Sequence, residues 1–192
     1  KLTDEIRLGL AYDSPIWYNL SDEFSQNLVA ISANNQNELP ADVVDPQIIN
    51  FYEPYKLTTP SKITGSFAYI FGKTGLISID YSYKDYGNTK FEPENDPYYR
   101  SLNSEMSNTL KSSGELRLGA EYKIKEWSLR GGYRFEESPY KNGTTIGDLN
   151  SFSAGLGYNF GMFKLDFAYT NAQRNSQQPF FSQGFTDGAK IK

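Results

Sequence analysis

Apolar and polar residues alternate over several stretches of this chain, and a period of two is the mark of a strand whose two faces differ. The clearest stretch runs from Gly114 to Ile124. Leu116, Leu118, Ala120, Tyr122 and Ile124 share one face; Glu115, Arg117, Gly119, Glu121 and Lys123 share the other. After only Lys125 and Glu126 the pattern resumes, with Trp127, Leu129, Gly131, Tyr133 and Phe135 opposed to Ser128, Arg130, Gly132, Arg134 and Glu136. So short a separation predicts a tight hairpin. Phe152 to Phe160 and Phe163 to Tyr169 form a second hairpin about Gly161, and Ile63 to Phe71 and Ile77 to Tyr83 a third about Gly72–Gly75. Ile6, Leu8, Leu10 and Tyr12 mark a first strand. The predicted strands lie near 5–13, 51–71, 75–86, 114–124, 126–137, 150–160 and 162–171. The second is long because Phe51, Tyr55, Leu57 and Ile63 keep one parity across Pro60, where a missing N–H predicts a kink, a bulge or a corner between two strands.

The connections sort by length. Segments 14–50, 88–113, 138–149 and 172–192 are long, and the turns between them are short. Long outer loops alternating with short inner turns are characteristic of an outer-membrane β-barrel. Two of the long segments either carry a short helix or run as a plain solvated loop: Ser21, followed by Glu23 and Phe24, to about Ile31, and Tyr98 to Leu110 with Leu102, Met106 and Leu110 four apart.

The two faces decide between a membrane and a water-soluble barrel. Arg7, Lys62, Asp80, Arg117, Glu121, Arg130, Arg134, Lys164 and Asp166 fall on the polar face. A dry core would charge several kcal/mol, as an order of magnitude, for each unpaired ion. The ionic face therefore looks into a wet lumen and the apolar face into lipid. The expected fold is all-β: an antiparallel transmembrane β-barrel, seven of whose strands are visible here. Phe71, Trp127, Phe160 and Phe163 flank the short turns, while Tyr12, Tyr55, Tyr83, Phe135, Phe152 and Tyr169 lie toward the long loops, as two interfacial girdles would.

Composition agrees and excludes chemistry. The 15 Tyr, 13 Phe and 2 Trp coexist with a mean hydropathy of -0.60. A barrel with greasy outside and polar lumen reconciles the two. The chain has 0 Cys and 0 His, which removes thiolate chemistry, disulfides and every Ser-His-Asp arrangement. No catalytic, metal or cofactor set is expected. A net charge of -4 offers no footprint for nucleic acid. Asp42, Asp45, Glu92, Glu94 and Asp96 lack the regular spacing of a Ca²⁺ loop and read as a solvated surface. No leader precedes Lys1, and no strand returns after Phe180-Phe181, so the chain is expected to be part of a longer barrel.

Lys56-Leu57-Thr58-Thr59-Pro60-Ser61-Lys62-Ile63-Thr64-Gly65-Ser66-Phe67, Gly75-Leu76-Ile77-Ser78-Ile79-Asp80-Tyr81, Arg117-Leu118-Gly119-Ala120-Glu121-Tyr122 and Ser14-Pro15-Ile16-Trp17-Tyr18-Asn19-Leu20 resemble the long-chain fatty-acid transporter (FadL/TodX-type) outer-membrane proteins in their Bacteroidetes form. The resemblance implies a fourteen-stranded barrel, plugged by an N-terminal hatch, that passes hydrophobic molecules such as fatty acids. It assigns this chain to the C-terminal portion, without the hatch. Its implied partners are outer-membrane lipid and lipopolysaccharide and a hydrophobic small-molecule ligand.

Two groups of residues are candidates for ligand contact. Trp17, Tyr18, Phe24 and Leu28 in the first long loop either form a capture surface or pack the loop onto the rim. Arg117, Arg130 and Arg134 either meet a carboxylate head group or pair with Glu115, Glu121 and Glu136. Other readings are a non-transporting barrel that anchors or assists secretion, a phospholipase-like membrane enzyme and a soluble ligand-binding β protein.

Overall fold

The computed structural model describes residues 4–26, 48–178 and 189–191. Its strands are β1 (Ile6–Asp13), β2 (Trp17–Leu20), β3 (Glu23–Gln26), β4 (Ile48–Phe51), β5 (Tyr55–Thr58), β6 (Lys62–Phe71), β7 (Gly75–Asp85), β8 (Lys90–Glu92), β9 (Ser112–Ile124), β10 (Trp127–Glu136), β11 (Ile146–Asn159), β12 (Lys164–Gln178) and β13 (Ala189–Ile191). One helix, α1 (Pro97–Thr109), stands between β8 and β9. The main sheet has eight strands in the order β1-β6-β7-β9-β10-β11-β12-β13, every neighbouring pair antiparallel. Its two edge strands do not meet, so the sheet is open within this chain.

Register makes each face continuous across the sheet. Leu8, Phe67, Ile79, Leu118, Tyr133 and Phe152 lie opposite one another from β1 to β11. The next row, on the other face, runs Ser66, Asp80, Arg117, Arg134, Ser151. Among the described residues no apolar side chain is buried, and Leu10, Leu165 and Phe167 are 83%, 64% and 73% exposed. A single layer that leaves so much apolar surface uncovered has no hydrophobic core to hold it in water, where each Leu or Phe forgoes about 1.5–3 kcal/mol of burial. In a bilayer the same face is solvated by acyl chains and the strand backbone is satisfied by its neighbours. Among the described residues no helix is long and apolar enough to cross a membrane.

The short turns follow from local chemistry. At Gly72–Gly75 the Thr74 amide and hydroxyl both donate to the Phe71 carbonyl, at 3.0 and 2.8 Å, and Gly72 takes φ 54°, which glycine adopts without strain. Rings gather at this end. Trp127 meets Tyr158 edge-on at 4.7 Å, and Phe160 stacks on Phe163 at 4.6 Å. Such a belt anchors a barrel at the lipid–water boundary.

Four expectations need correction. The stretch 51–71 is not one strand: β4, β5 and β6 belong to three different sheets. Pro54 and Pro60 each remove a ladder donor, and each proline falls in a gap between two of these strands. The first long loop is not plain, because β2 pairs with β5 and β3 with β4. The helix expected from Ser21 gives way to strand β3 over the residues that are described, 23–26. A strand does follow Phe181: β13 pairs with the end of β12. The second expected helix is present as α1, started by the Asp96 side chain accepting from the Tyr98 amide at 2.8 Å and by Pro97 at its first turn.

Candidate ligand-capture cleft and ionic face

At the long-loop end, β2, β5 and β8 form a small sheet of their own. The Thr59 amide donates to the Ile16 carbonyl at 2.9 Å, tying this sheet to the loop that leaves β1. The two amide and carbonyl groups of the Asn103 side chain bracket the Phe91 backbone, at 2.7 and 2.9 Å, and fix α1 to β8. Between these elements lies a cleft of about 760 Å³. Tyr52, Tyr55, Phe91, Tyr98 and Tyr99 supply its rings, and Leu102, Pro54 and Pro93 complete its apolar wall. Phe91 and Tyr99 stack with centroids 6.0 Å apart, and Tyr55 lies 5.9 and 5.5 Å from them. Asp22, Glu53 and Asp96 stand in the same wall.

Two phenols in this cleft are held above their ordinary pKa. Burial raises Tyr55 first, followed by its hydrogen bond to Asp22, where the hydroxyl donates at 3.2 Å. Burial also leads at Tyr99, followed by the negative charge of Asp96, neighbouring Tyr98, Asp22 and Glu53. Both therefore stay protonated donors through neutral pH.

The sequence candidates divide around this cleft. Tyr18 lies in register with Leu57 and Phe91 of the small sheet, so it shares their face, whereas Trp17 lies on the opposite face. Phe24 sits on β3 against Asn50. None of the three lines the cleft. Leu28 lies outside the described residues. The cleft residues Tyr52, Tyr55, Tyr98 and Tyr99 were legible only as Phe-Tyr-Glu-Pro-Tyr and Pro-Tyr-Tyr, two aromatic clusters in otherwise polar loops. Tyr55, expected in the outer girdle, belongs to the cleft instead.

The three arginines lie on the ionic face, and each is already paired. Arg117 Nη2 and Arg134 Nε both reach Glu115 Oε1, at 2.7 and 2.5 Å. Arg134 and Arg174 share Glu136, at 2.8 and 3.0 Å. Arg130 bridges Glu121 at 2.9 Å and Asp166 at 2.5 Å, and Lys123 also reaches Glu121. Arg134 Nε and Arg174 Nη2 lie in ion-pair range without a well-directed hydrogen bond, so those attractions are Coulombic. Cations and carboxylates nearly balance in this ladder, so it presents no strong field of either sign. Glu115→Gln is expected to cost about 1 kcal/mol, since the arginines it joins are half exposed and screened. Urea unfolding of the barrel, compared at low and high salt, checks both the size and the screening.

The family follows from a comparison of the whole chain. Residues 1–183 match the model of the outer membrane protein transport proteins (OMPP1/FadL/TodX). The chain belongs to this family. Its members are outer-membrane proteins, which places the chain there. Among solved structures it is similar to a FadL homologue of Pseudomonas aeruginosa, at 14% identity and a TM-score of 0.58. The match covers 93% of this chain and 44% of that one, so this chain spans less than half of the solved relative and shares its barrel fold. No curated protein matches. In an outer-membrane barrel an apolar face is stable against lipid and a charged face against the wet inside, the places that suit the leucine rows and the arginine ladder. The chain's cleft lies at the end with the long loops.

Proposed function

We propose that the protein to which this chain belongs carries hydrophobic small molecules across the outer membrane, long-chain fatty acids among the candidates, and that the loop cleft captures the apolar part of its ligand. The observation that carries the reading is the ring-walled cleft of about 760 Å³ at the long-loop end of a FadL/TodX-type sheet. A volume of that order suits a small ligand, and an aromatic wall with few polar groups is what such sites are made of. The physical need is plain: lipopolysaccharide slows apolar solutes, and a surface pocket that desolvates them raises their local concentration at the barrel mouth.

A fatty-acid carboxylate moving along the ionic face would have to displace Glu115, Glu121 or Glu136 from an arginine. Transport of the tail is thus better supported than recognition of the head. Expression of the full-length gene in a Gram-negative host lacking its own transporter of this kind is the test. Initial uptake of a labelled long-chain fatty acid or of a neutral alkyl aromatic should rise several-fold. Equal rates with and without the gene for both compounds would remove the reading.

A further inference from the structure

We propose that the loop cleft discriminates by charge: it receives a hydrophobic molecule with a cationic head, an aryl or alkyl quaternary ammonium, in preference to one ending in a carboxylate. The inference rests on the capture reading above and names the ligand class for that cleft.

Two independent features point the same way. The first is the wall of rings. Phe91 and Tyr99 stack, and Tyr55 and Tyr98 flank them, with Tyr98 edge-on to Tyr99 at 5.4 Å. The faces of such rings carry negative potential and attract ammonium groups, and a quaternary ammonium sheds its water at little cost. The second is the ion content. Three carboxylates line the cleft and, among the described residues, no lysine or arginine does. The nearby cations are turned to other work. Lys90 Nζ is 3.4 Å from Glu94, and Arg100 donates to the Asn95 carbonyl at 3.2 Å. Lys56 lies in register with Asn19 and Glu92, on the face of the small sheet opposite Tyr55 and Leu57. Burial first, and then Asp96, Asp22 and Glu53 among its neighbours, hold the Tyr99 phenol above its ordinary pKa, so each of the three carboxylates acts on this ring with negative charge.

The carboxylates differ in their other duties. Asp22 accepts from Tyr55 and Asp96 caps α1. Glu53 has no hydrogen bond or ion pair among the described residues. Its carboxylate lines the cleft, and its removal breaks no hydrogen bond among the described residues. A fatty-acid carboxylate would meet three like charges here, whereas a cation would meet three opposite ones within reach of the rings.

The test is binding to the full-length protein in nanodiscs of neutral lipid. Three water-soluble probes share one phenyl ring and carry heads of different charge: benzyltrimethylammonium, benzyl alcohol and benzoate, with neutral neopentylbenzene as the size-matched control for the cation. The cation should bind about tenfold more tightly than the alcohol, and benzoate most weakly. Glu53→Gln should cut the cation's advantage about threefold and leave benzyl alcohol unchanged, and Tyr99→Leu should reduce the cation's affinity more than the alcohol's. Benzoate binding as tightly as the cation to the wild-type protein overturns the proposal without recourse to any variant. So does a cation preference that survives both substitutions. Uptake of hydrophobic probes with the ranking reversed defeats charge selection alone. The expected ranking without uptake defeats transport alone.

Discussion

Leu118→Arg is expected to destabilise the folded barrel by about 2–4 kcal/mol in a bilayer, the cost of an arginine facing lipid near the midplane. Leu118 lies midway along β9, in register with Ile79 and Tyr133 on the apolar face. It is six residues from the short turn at Ile124, or roughly 20 Å along the strand, which the tilt of a barrel strand reduces to about half a bilayer. Ser66→Lys is the matched control. Ser66 is one row away on the other face, in register with Asp80, which in turn faces Arg117. A lysine there meets a carboxylate and water, and its effect should stay within about 0.5 kcal/mol. Reversible urea unfolding in phospholipid vesicles measures both. Equal costs at the two positions would mean that the faces do not see different solvents.

Gly75→Ala is expected to cost about 1–3 kcal/mol by overpacking. A Cβ at Gly75 would lie 2.7 Å from the Glu121 carbonyl oxygen and 3.3 Å from the Tyr122 ring. The nearer obstacle is backbone, held in the β7–β9 ladder at the Gly75–Tyr122 pair, so no side chain can swing away to relieve it. Gly65 is the comparison, since a Cβ there meets nothing within 4 Å. Gly65→Ala should be close to neutral, within about 0.5 kcal/mol. The same unfolding measurement applies, and a Gly75→Ala variant as stable as Gly65→Ala would show that the ladder yields at that end.

The long strands could be read from the chain because a lipid-facing sheet enforces its period of two at every residue. Leu116 to Ile124 and Trp127 to Phe135 keep that alternation without a break, and the hairpin between them was fixed by Lys125 and Glu126 alone. The helix α1 shows its apolar positions at Leu102 and Met106, and its start lies at Asp96 and Pro97, just before the expected Tyr98. The small sheet was not legible for a physical reason. Its strands have four residues or fewer, too short to display a period, and its partners lie far apart: Trp17 pairs with Thr58, and Leu57 with Phe91. The parity shared by Phe51, Tyr55 and Ile63 was coincidence, and Pro54 was the signal that the stretch is cut twice.

The arginine row was legible in part. The pairing of Arg130 with Glu121 follows from the hairpin register. Its second partner, Asp166, comes from β12 across β11, and Arg174 reaches Glu136 in the same way. Contacts that skip a strand depend on side-chain length and cannot be counted from alternation. The cleft depends on tertiary contact too: Asp22, Tyr55, Phe91 and Tyr99 come from four segments that only the fold brings together.

This chain has 0 Cys, so once any cysteine elsewhere in the full-length protein is replaced by serine, one experiment is decisive about the orientation of the sheet. Single cysteines at Leu118, Leu129, Leu156 and Leu165, and at Ser66, Ser153 and Thr170, would carry nitroxide labels in the full-length protein in vesicles. The leucine positions should relax faster with lipid-soluble oxygen than with a water-soluble nickel chelate, and the serine and threonine positions should show the reverse. The opposite assignment, with oxygen favouring Ser66, Ser153 and Thr170, would place the ionic face in lipid and contradict the account.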